Sequence, residues 1–290
     1  MKVMILTDLE GPAGINGRSD GIGNTTLNKP TAEQALVNEV NAVCDGLIAA
    51  GATEIVVYDG HGGSNSIDIF KLHPKASLLQ SGDYTPCAFI DGTYDALIQL
   101  GAHGMQQSGG YMCHTYNSHA VGFMKFNGEY IGEIGMSSLV AAYFKVPTIL
   151  VSGDDVACHE ARALLGDGLD VVATKSSINR YSVVNYPVQE VYKNLRAAAE
   201  KALRNLDKAT CLEMPEKCEL MVRVMCPNHA NGAERLGVER LDEVTLRYVS
   251  DDLIDLWSQR MGWAPGVHNR KFNMSPEWKH PHTLAKDAFN

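Results

Sequence analysis

The chain has 290 residues, enough to bury a large core as one domain or two unequal ones. Hydrophobic residues make up 45% and charged residues 20%, an ordinary globular balance, and the formal net charge of −9 argues against a polyanion such as nucleic acid as main partner. No apolar run approaches the ~20 residues that cross a bilayer, and the N-terminal run is too short for a signal peptide, so no membrane association is expected and the expected location is cytoplasmic.

Taken in chain order, Val3 to Thr7 is a short apolar run ending in acid, as a buried strand does on entering a functional loop. The Gly-, Asn- and Ser-rich stretch from Gly11 to Asn28 reads as too polar and flexible for regular structure. Thr31 is expected to open a helix, with Gln34 completing a capping box; Leu36, Val40, Val43 and Leu47 mark its apolar face and Gly51 stops it. Glu54 to Tyr58 reads as the second strand, and Ala96 to Leu100 as another, running into Gly101-Ala102-His103. Val121 to Phe126 and Glu129 to Ile131, joined by Asn127-Gly128, predict a hairpin with a type I′ turn. A helix from about Gly132 to Lys145 leads to the strand Thr148 to Ser152, and Val171 to Thr174 follows after another helix.

This β-α alternation predicts an α/β fold: a mostly parallel sheet with helices on both faces, over residues 1–186. The helix beginning at Pro187 (Val191, Leu195, Ala198, Leu203, Leu206) starts a smaller expected C-terminal α+β part, 187–262, with strands at Glu219 to Val224 and Val244 to Tyr248. Residues 263–290, rich in Pro, His and Asn, read as an extended tail. Seven cysteines are scattered with no C-x-x-C pair, which is neither a disulfide framework nor a Cys-type zinc site.

The chemistry-bearing residues fall at the ends of the expected strands. Asp8 and Glu10 stand two apart, so extended backbone would project both from one face, where two carboxylates repel unless cations compensate. His61 lies in Asp59-Gly60-His61-Gly62-Gly63 after the second strand, and His103 in Gly101-Ala102-His103-Gly104 after another. Ligands in open α/β sheets bind beyond the carboxyl ends of the strands, so these loops should converge. Imidazole with carboxylate suits zinc, and also manganese or cobalt. Singly, each residue has an ordinary explanation: D-x-E after a strand is common, and a lone histidine there is more often a structural hydrogen-bonder. Asp59 has the competing role of orienting His61 or a loop amide.

Thr7-Asp8-Leu9-Glu10-Gly11, Asp59-Gly60-His61, Gly101-Ala102-His103, Cys113-His114-Thr115, Gly132-Glu133 and Gly153-Asp154-Asp155 recur in one order and spacing. In these motifs the chain resembles the D-aminopeptidase family of dinuclear zinc metallopeptidases. The likeness covers about residues 1 to 180 and extends more weakly through Thr174-Lys175 and Asn228 to Glu234. It implies two Zn2+ per chain, with Asp8 bridging, Glu10 and His61 completing one site, and His103 and Glu133 the other. Glu133 comes from the resemblance alone; by spacing it merely starts a helix, where the dipole favours a carboxylate. Three carboxylates against two dications leave about one positive charge for a hydroxide. His114 falls at the position the family treats as catalytic, as proton donor, oxyanion stabiliser or nucleophile. His119 ranks second for that role.

The resemblance also implies a homo-oligomer, a decamer of two stacked pentamers, and a short peptide or aminoacyl amide as substrate, with a D-amino acid at its N-terminus. Two other readings stand beside it: a dinuclear-metal amidohydrolase acting on a non-peptide amide, and a non-enzymatic α/β protein that binds a small ligand. The last lacks a phosphate-binding fingerprint, since neither G-x-G-x-x-G nor G-x-x-x-x-G-K-[ST] occurs. The tail histidines His268, His280 and His282 and the loop residues Arg18, Ser19 and Asp20 have no clear family counterpart.

Overall fold

The computed structural model describes residues 1–15, 17–19, 25–27, 29–62, 65–80 and 89–262. Its centre is a seven-stranded sheet whose strands, in chain order, are β1 (Lys2–Thr7), β4 (Glu54–Asp59), β5 (Ala76–Leu79), β6 (Ala96–Ala102), β9 (Thr148–Asp154), β10 (Asp170–Asn179) and β11 (Ser182–Asn185). They lie in the spatial order β11-β10-β9-β6-β1-β4-β5, all neighbours parallel except the β10–β11 hairpin. A two-stranded ribbon, β2 (Gly17–Ser19) and β3 (Thr25–Leu27), corrects the expectation of no regular structure between Gly11 and Asn28.

Strand periodicity distributes the core. Val3 and Ile5 of β1, Ile55 and Val57 of β4, and Ile98 and Leu100 of β6 face one side. There they pack on α1 (Lys29–Ala49), through Leu36, Val40, Val43 and Leu47, and on α4 (Val188–Arg204), through Val191, Leu195 and Ala199. Helix α1 begins two residues before Thr31, and Pro30 sits in its first turn, where a missing N–H costs nothing. Thr31 therefore lies inside the helix and not at its N-cap position, and Gln34 donates along the helix to Asn38 at 3.0 Å. Met4, Val56, Tyr58 and Leu97 face the opposite side.

That opposite side is covered by a five-stranded antiparallel sheet, β13-β14-β12-β7-β8. It contains the predicted hairpin, β7 (Val121–Phe126) and β8 (Glu129–Tyr130), together with β12 (Cys218–Val224), β13 (Glu239–Asp242) and β14 (Thr245–Ser250). Asn127 and Gly128 both have positive φ, 47° and 90°, as a type I′ turn requires. Val222, Leu220, Leu246 and Tyr248 seal this layer against α2 (Glu133–Tyr143) and α6 (Leu253–Met261). The remaining helices are α3 (Asp155–Leu165), capped by the Asp154 carboxylate accepting from the Ala157 amide at 2.8 Å, and α5 (Pro227–Glu234). The packing of α4 on α1, and the shared sheet of β7 with β12, both cross the boundary expected between residues 186 and 187. The tail from 263 lies outside the described residues.

Candidate metal centre

The ends of β1, β4 and β6 meet at one point because their loops touch backbone to backbone. The Asp8 amide donates to the Leu100 carbonyl at 2.8 Å, Gly11 to Gly101 at 2.8 Å and Gly60 to Thr7 at 3.1 Å. Gly101, at φ +76°, lies against the Asp8 carbonyl, and a Cβ at Gly11 would collide with the Ala102 carbonyl. Beneath this floor Lys175 is fully buried, and its ammonium donates to the carbonyls of Glu10 at 2.8 Å and Ile15 at 3.3 Å. Thr174 places its hydroxyl between the carbonyls of Gly11 and Gly153.

On this floor the structure brings together Asp8, Glu10, His61, His103 and Glu133, with His114 at the edge. Asp8 lies in the middle. Its Oδ1 is 2.8 Å from His61 Nδ1, which is also 3.2 Å from Glu10 Oε2. Its Oδ2 is 3.2 Å from His103 Nε2, which is also 3.4 Å from Glu133 Oε1. The two oxygens of one carboxylate thus face two separate donor sets. His103 Nδ1–H donates to the Gly104 carbonyl at 3.0 Å, which fixes the tautomer and leaves the Nε2 lone pair toward the carboxylates. That buried Nε2 makes no hydrogen bond of acceptable geometry among the described residues. A buried imidazole lone pair grouped with carboxylate oxygens is the donor chemistry of a zinc site, so the residues present fit divalent cations.

The electrostatics point the same way. Burial alone would lower the His61 pKa, but Glu10 and Asp8 overcome it and push it up to about 11. Burial likewise opposes, and the Asp8 and Glu133 carboxylates outweigh it, in raising His103 well above the usual histidine range. Glu10 responds in the opposite sense: burial would raise it, while His61, His103 and His114 hold it well below the usual carboxylate range. The carboxylates demand positive charge, which protons on imidazole or divalent cations can supply in competition.

Helix α2 delivers Glu133 as its first residue, and Glu133 Oε1 also accepts from the Tyr116 amide at 2.7 Å. His114 donates from Nδ1 to the Met112 carbonyl at 2.9 Å, and its Nε2 stands 3.9 Å from Glu133 Oε1. Asp59 takes the loop-amide role, accepting from Ser66 at 2.7 Å and Ile67 at 3.1 Å. Cys113 is buried beside Arg180, whose guanidinium reaches its carbonyl. His119 is exposed, its amide held by Asn117 at 2.9 Å, and it does not line the cavity above the cluster.

That cavity, of about 600 Å³, is lined by Asp8, His61, His103, His114 and Glu133 at the cluster. Tyr116 and the α6 residues Trp257, Arg260 and Met261 also line it. Sequence reasoning missed this second wall, because nothing in the sequence places α6 over the ends of β1 and β6.

A carboxylate–imidazole centre at the carboxyl ends of parallel strands, opening on a cavity of this size, defines the chain as a metallohydrolase. A family model described as D-aminopeptidase matches residues 1–260, and the chain belongs to that family. It is 28% identical over 262 residues to a D-aminopeptidase of Bacillus subtilis (strain 168), covering 89% of this chain and 94% of that protein. It also superimposes with a TM-score of 0.82, at 27% identity, on a solved structure described as "Zn-dependent D-aminopeptidase DppA from Bacillus subtilis, a self-compartmentalizing protease". That likeness covers 90% of this chain and 96% of the other, and it fits the mostly parallel sheet with its added antiparallel layer.

Proposed function

We propose that this chain is a zinc aminopeptidase that removes N-terminal residues, D-amino acids among them, from short peptides or aminoacyl amides. The observation that carries the reading is Asp8, whose two carboxylate oxygens face His61 with Glu10 on one side and His103 with Glu133 on the other. Two zinc ions held there, manganese or cobalt being the alternatives, would polarise the scissile carbonyl and make a water nucleophilic near neutral pH.

The chain's own residues supply the rest. The tautomer fixed by the Met112 carbonyl leaves His114 Nε2 free to accept a proton and return it to the leaving amine. The free amino group of a short peptide binds near one metal or at a carboxylate beside it, which favours cleavage next to a free amino group. Tyr116 and Trp257, their rings 5.4 Å apart, narrow the cavity and exclude water. By likeness to its self-compartmentalizing relative, the chain assembles as a homo-oligomer, read here as a decamer, whose interior would admit short peptides.

The test is elemental analysis of zinc-loaded protein followed by a panel of D- and L-aminoacyl peptides, aminoacyl amides and non-peptide amides. About two ions per chain and fastest turnover on a peptide with an N-terminal D-residue are expected. No specific metal, or turnover confined to non-peptide amides, overturns the reading.

A further inference from the structure

The wall of the cavity contributed by α6 carries chemistry that the metal cluster does not use. Trp257, Arg260 and Met261 are spaced i, i+3, i+4 and so share one face of the helix, and all three line the cavity. Trp257 is 2% exposed, and its indole N–H has no hydrogen-bond partner among the described residues. The Nε–H of Arg260 is likewise buried without one, and Arg260 forms no ion pair with a described carboxylate. It is also the only lysine or arginine among the described residues lining the cavity. Two unpartnered donors, neither able to accept, call for an acceptor, and the guanidinium charge calls for an anionic one.

Resting on the peptidase reading above, we propose that Arg260, assisted by the Trp257 indole N–H, binds the free C-terminal carboxylate of a very short peptide substrate. Such a peptide carries a cation at one end and an anion at the other. The amino end lies near the metal centre, as a ligand to one ion or on a carboxylate beside it, and Arg260 is the side chain in this cavity that matches the anionic end. A carboxylate fits a guanidinium through two parallel hydrogen bonds, which neither a carboxamide nor a continuing peptide chain reproduces. An extended residue spans at most about 3.6 Å, so a cavity of about 600 Å³ holds two or three residues between its ends. The enzyme therefore reads both termini of its substrate, and Arg260 sets a preference for free acids over amides and long chains.

The experiment measures binding separately from turnover. The zinc-loaded full chain is titrated with the reduced-amide analogue of D-Ala-D-Ala, as free acid and as C-terminal carboxamide. Hydrolysis of D-Ala-D-Ala is followed in parallel. Wild type should bind the acid roughly 10–100-fold more tightly than the carboxamide, the range of a charge-assisted hydrogen-bonded pair. Arg260→Gln should bind both alike while retaining wild-type zinc content, and Arg260→Lys should keep part of the preference. Trp257→Phe, which keeps the ring beside Tyr116 and loses the donor, should narrow the preference by a smaller factor; it serves as the readout if the Arg260 variants fail to fold. Equal affinity of wild type for acid and carboxamide, or an undiminished preference in Arg260→Gln and Trp257→Phe, overturns the assignment. Should wild type bind selectively yet hydrolyse no peptide, the peptidase reading falls and the carboxylate site stands.

Discussion

The imidazole rings of His103 and His114 are stacked, with centroids 4.0 Å apart and planes inclined by 13°. Each ring is anchored through Nδ1 by a backbone carbonyl of its own loop, so both Nε2 atoms project toward the carboxylates. They do so at different depths. His103 Nε2 lies within 3.4 Å of both Asp8 and Glu133, whereas His114 Nε2 approaches Glu133 alone, at 3.9 Å. In the proposed function the inner ring is accordingly assigned to metal ligation and the outer one to proton transfer.

Replacement of His114 separates these roles. His114→Ala should keep its zinc and its assembly and lose ~10²–10⁴ in kcat/KM, the usual worth of general acid–base help. His114→Phe, which preserves the stack, should be equally slow, whereas His103→Ala should lose metal together with activity. Cys113→Ser should be mild. A His114→Ala enzyme with near-normal kcat/KM would return this histidine to a structural role in its loop.

The position of Asp8 between two donor sets makes its loss different in kind from that of Glu10. Asp8→Ala should empty both sites, while Glu10→Ala should weaken mainly the one shared with His61. Metal content after dialysis against a mild chelator distinguishes them, and equal retention of both ions in the two variants would contradict a bridging carboxylate.

A pH signature should come from beneath the site. Glu39 is fully buried on α1, accepts from the Ala13 amide at 2.7 Å, and is pushed by burial from 4.5 up to about 7. Between those values the folded chain holds a proton that the unfolded chain has released, so stability from this group falls as pH rises through the window. Glu39→Gln keeps the Ala13 hydrogen bond and lacks the titration. Lys175, held down to about 8 chiefly by burial, loses a nearby negative charge in the variant and releases its proton more easily, which acts in the same direction. The variant's melting temperature relative to wild type should therefore be higher at pH 8 than at pH 5, by the equivalent of on the order of 2 kcal/mol. The same difference at both pH values would show that Glu39 does not titrate there.

Much of the central sheet could be read from the sequence, because strands buried on both faces are continuous apolar runs and the amphipathic α1 declares its face through Leu36, Val40, Val43 and Leu47. The clustering of Asp8, Glu10, His61 and His103 followed from the rule that loops meet at the carboxyl ends of parallel strands. Glu133 did not, since a glutamate at a helix start has a sufficient local explanation. Strand β5 was missed because Ala76 to Leu79 is four residues long, only partly buried and without strong alternation. The ribbon β2–β3 was missed because its Gly, Ser and Thr residues carry turn chemistry as readily as strand chemistry. Arg260 and Trp257 could not be placed at all: on a helix far along the chain they look like an ordinary amphipathic pair, and only the docking of α6 brings them to the cavity.

The contact of Gly11 with Ala102, and of Gly101 with Asp8, means that the floor of the centre is made of main chain. Peptide groups are common to every sequence, so this floor depends on the absence of side chains at a few positions and on little else. The opposite wall includes Trp257, Arg260 and Met261, carried by α6 in a different layer of the fold. Exchanges at Trp257, Arg260 or Met261 can therefore reshape what the cavity admits while the backbone contacts of the floor persist, whereas a single methyl group at Gly11 must push two strand ends apart. Selectivity in this architecture is free to drift while the reactive centre stays fixed.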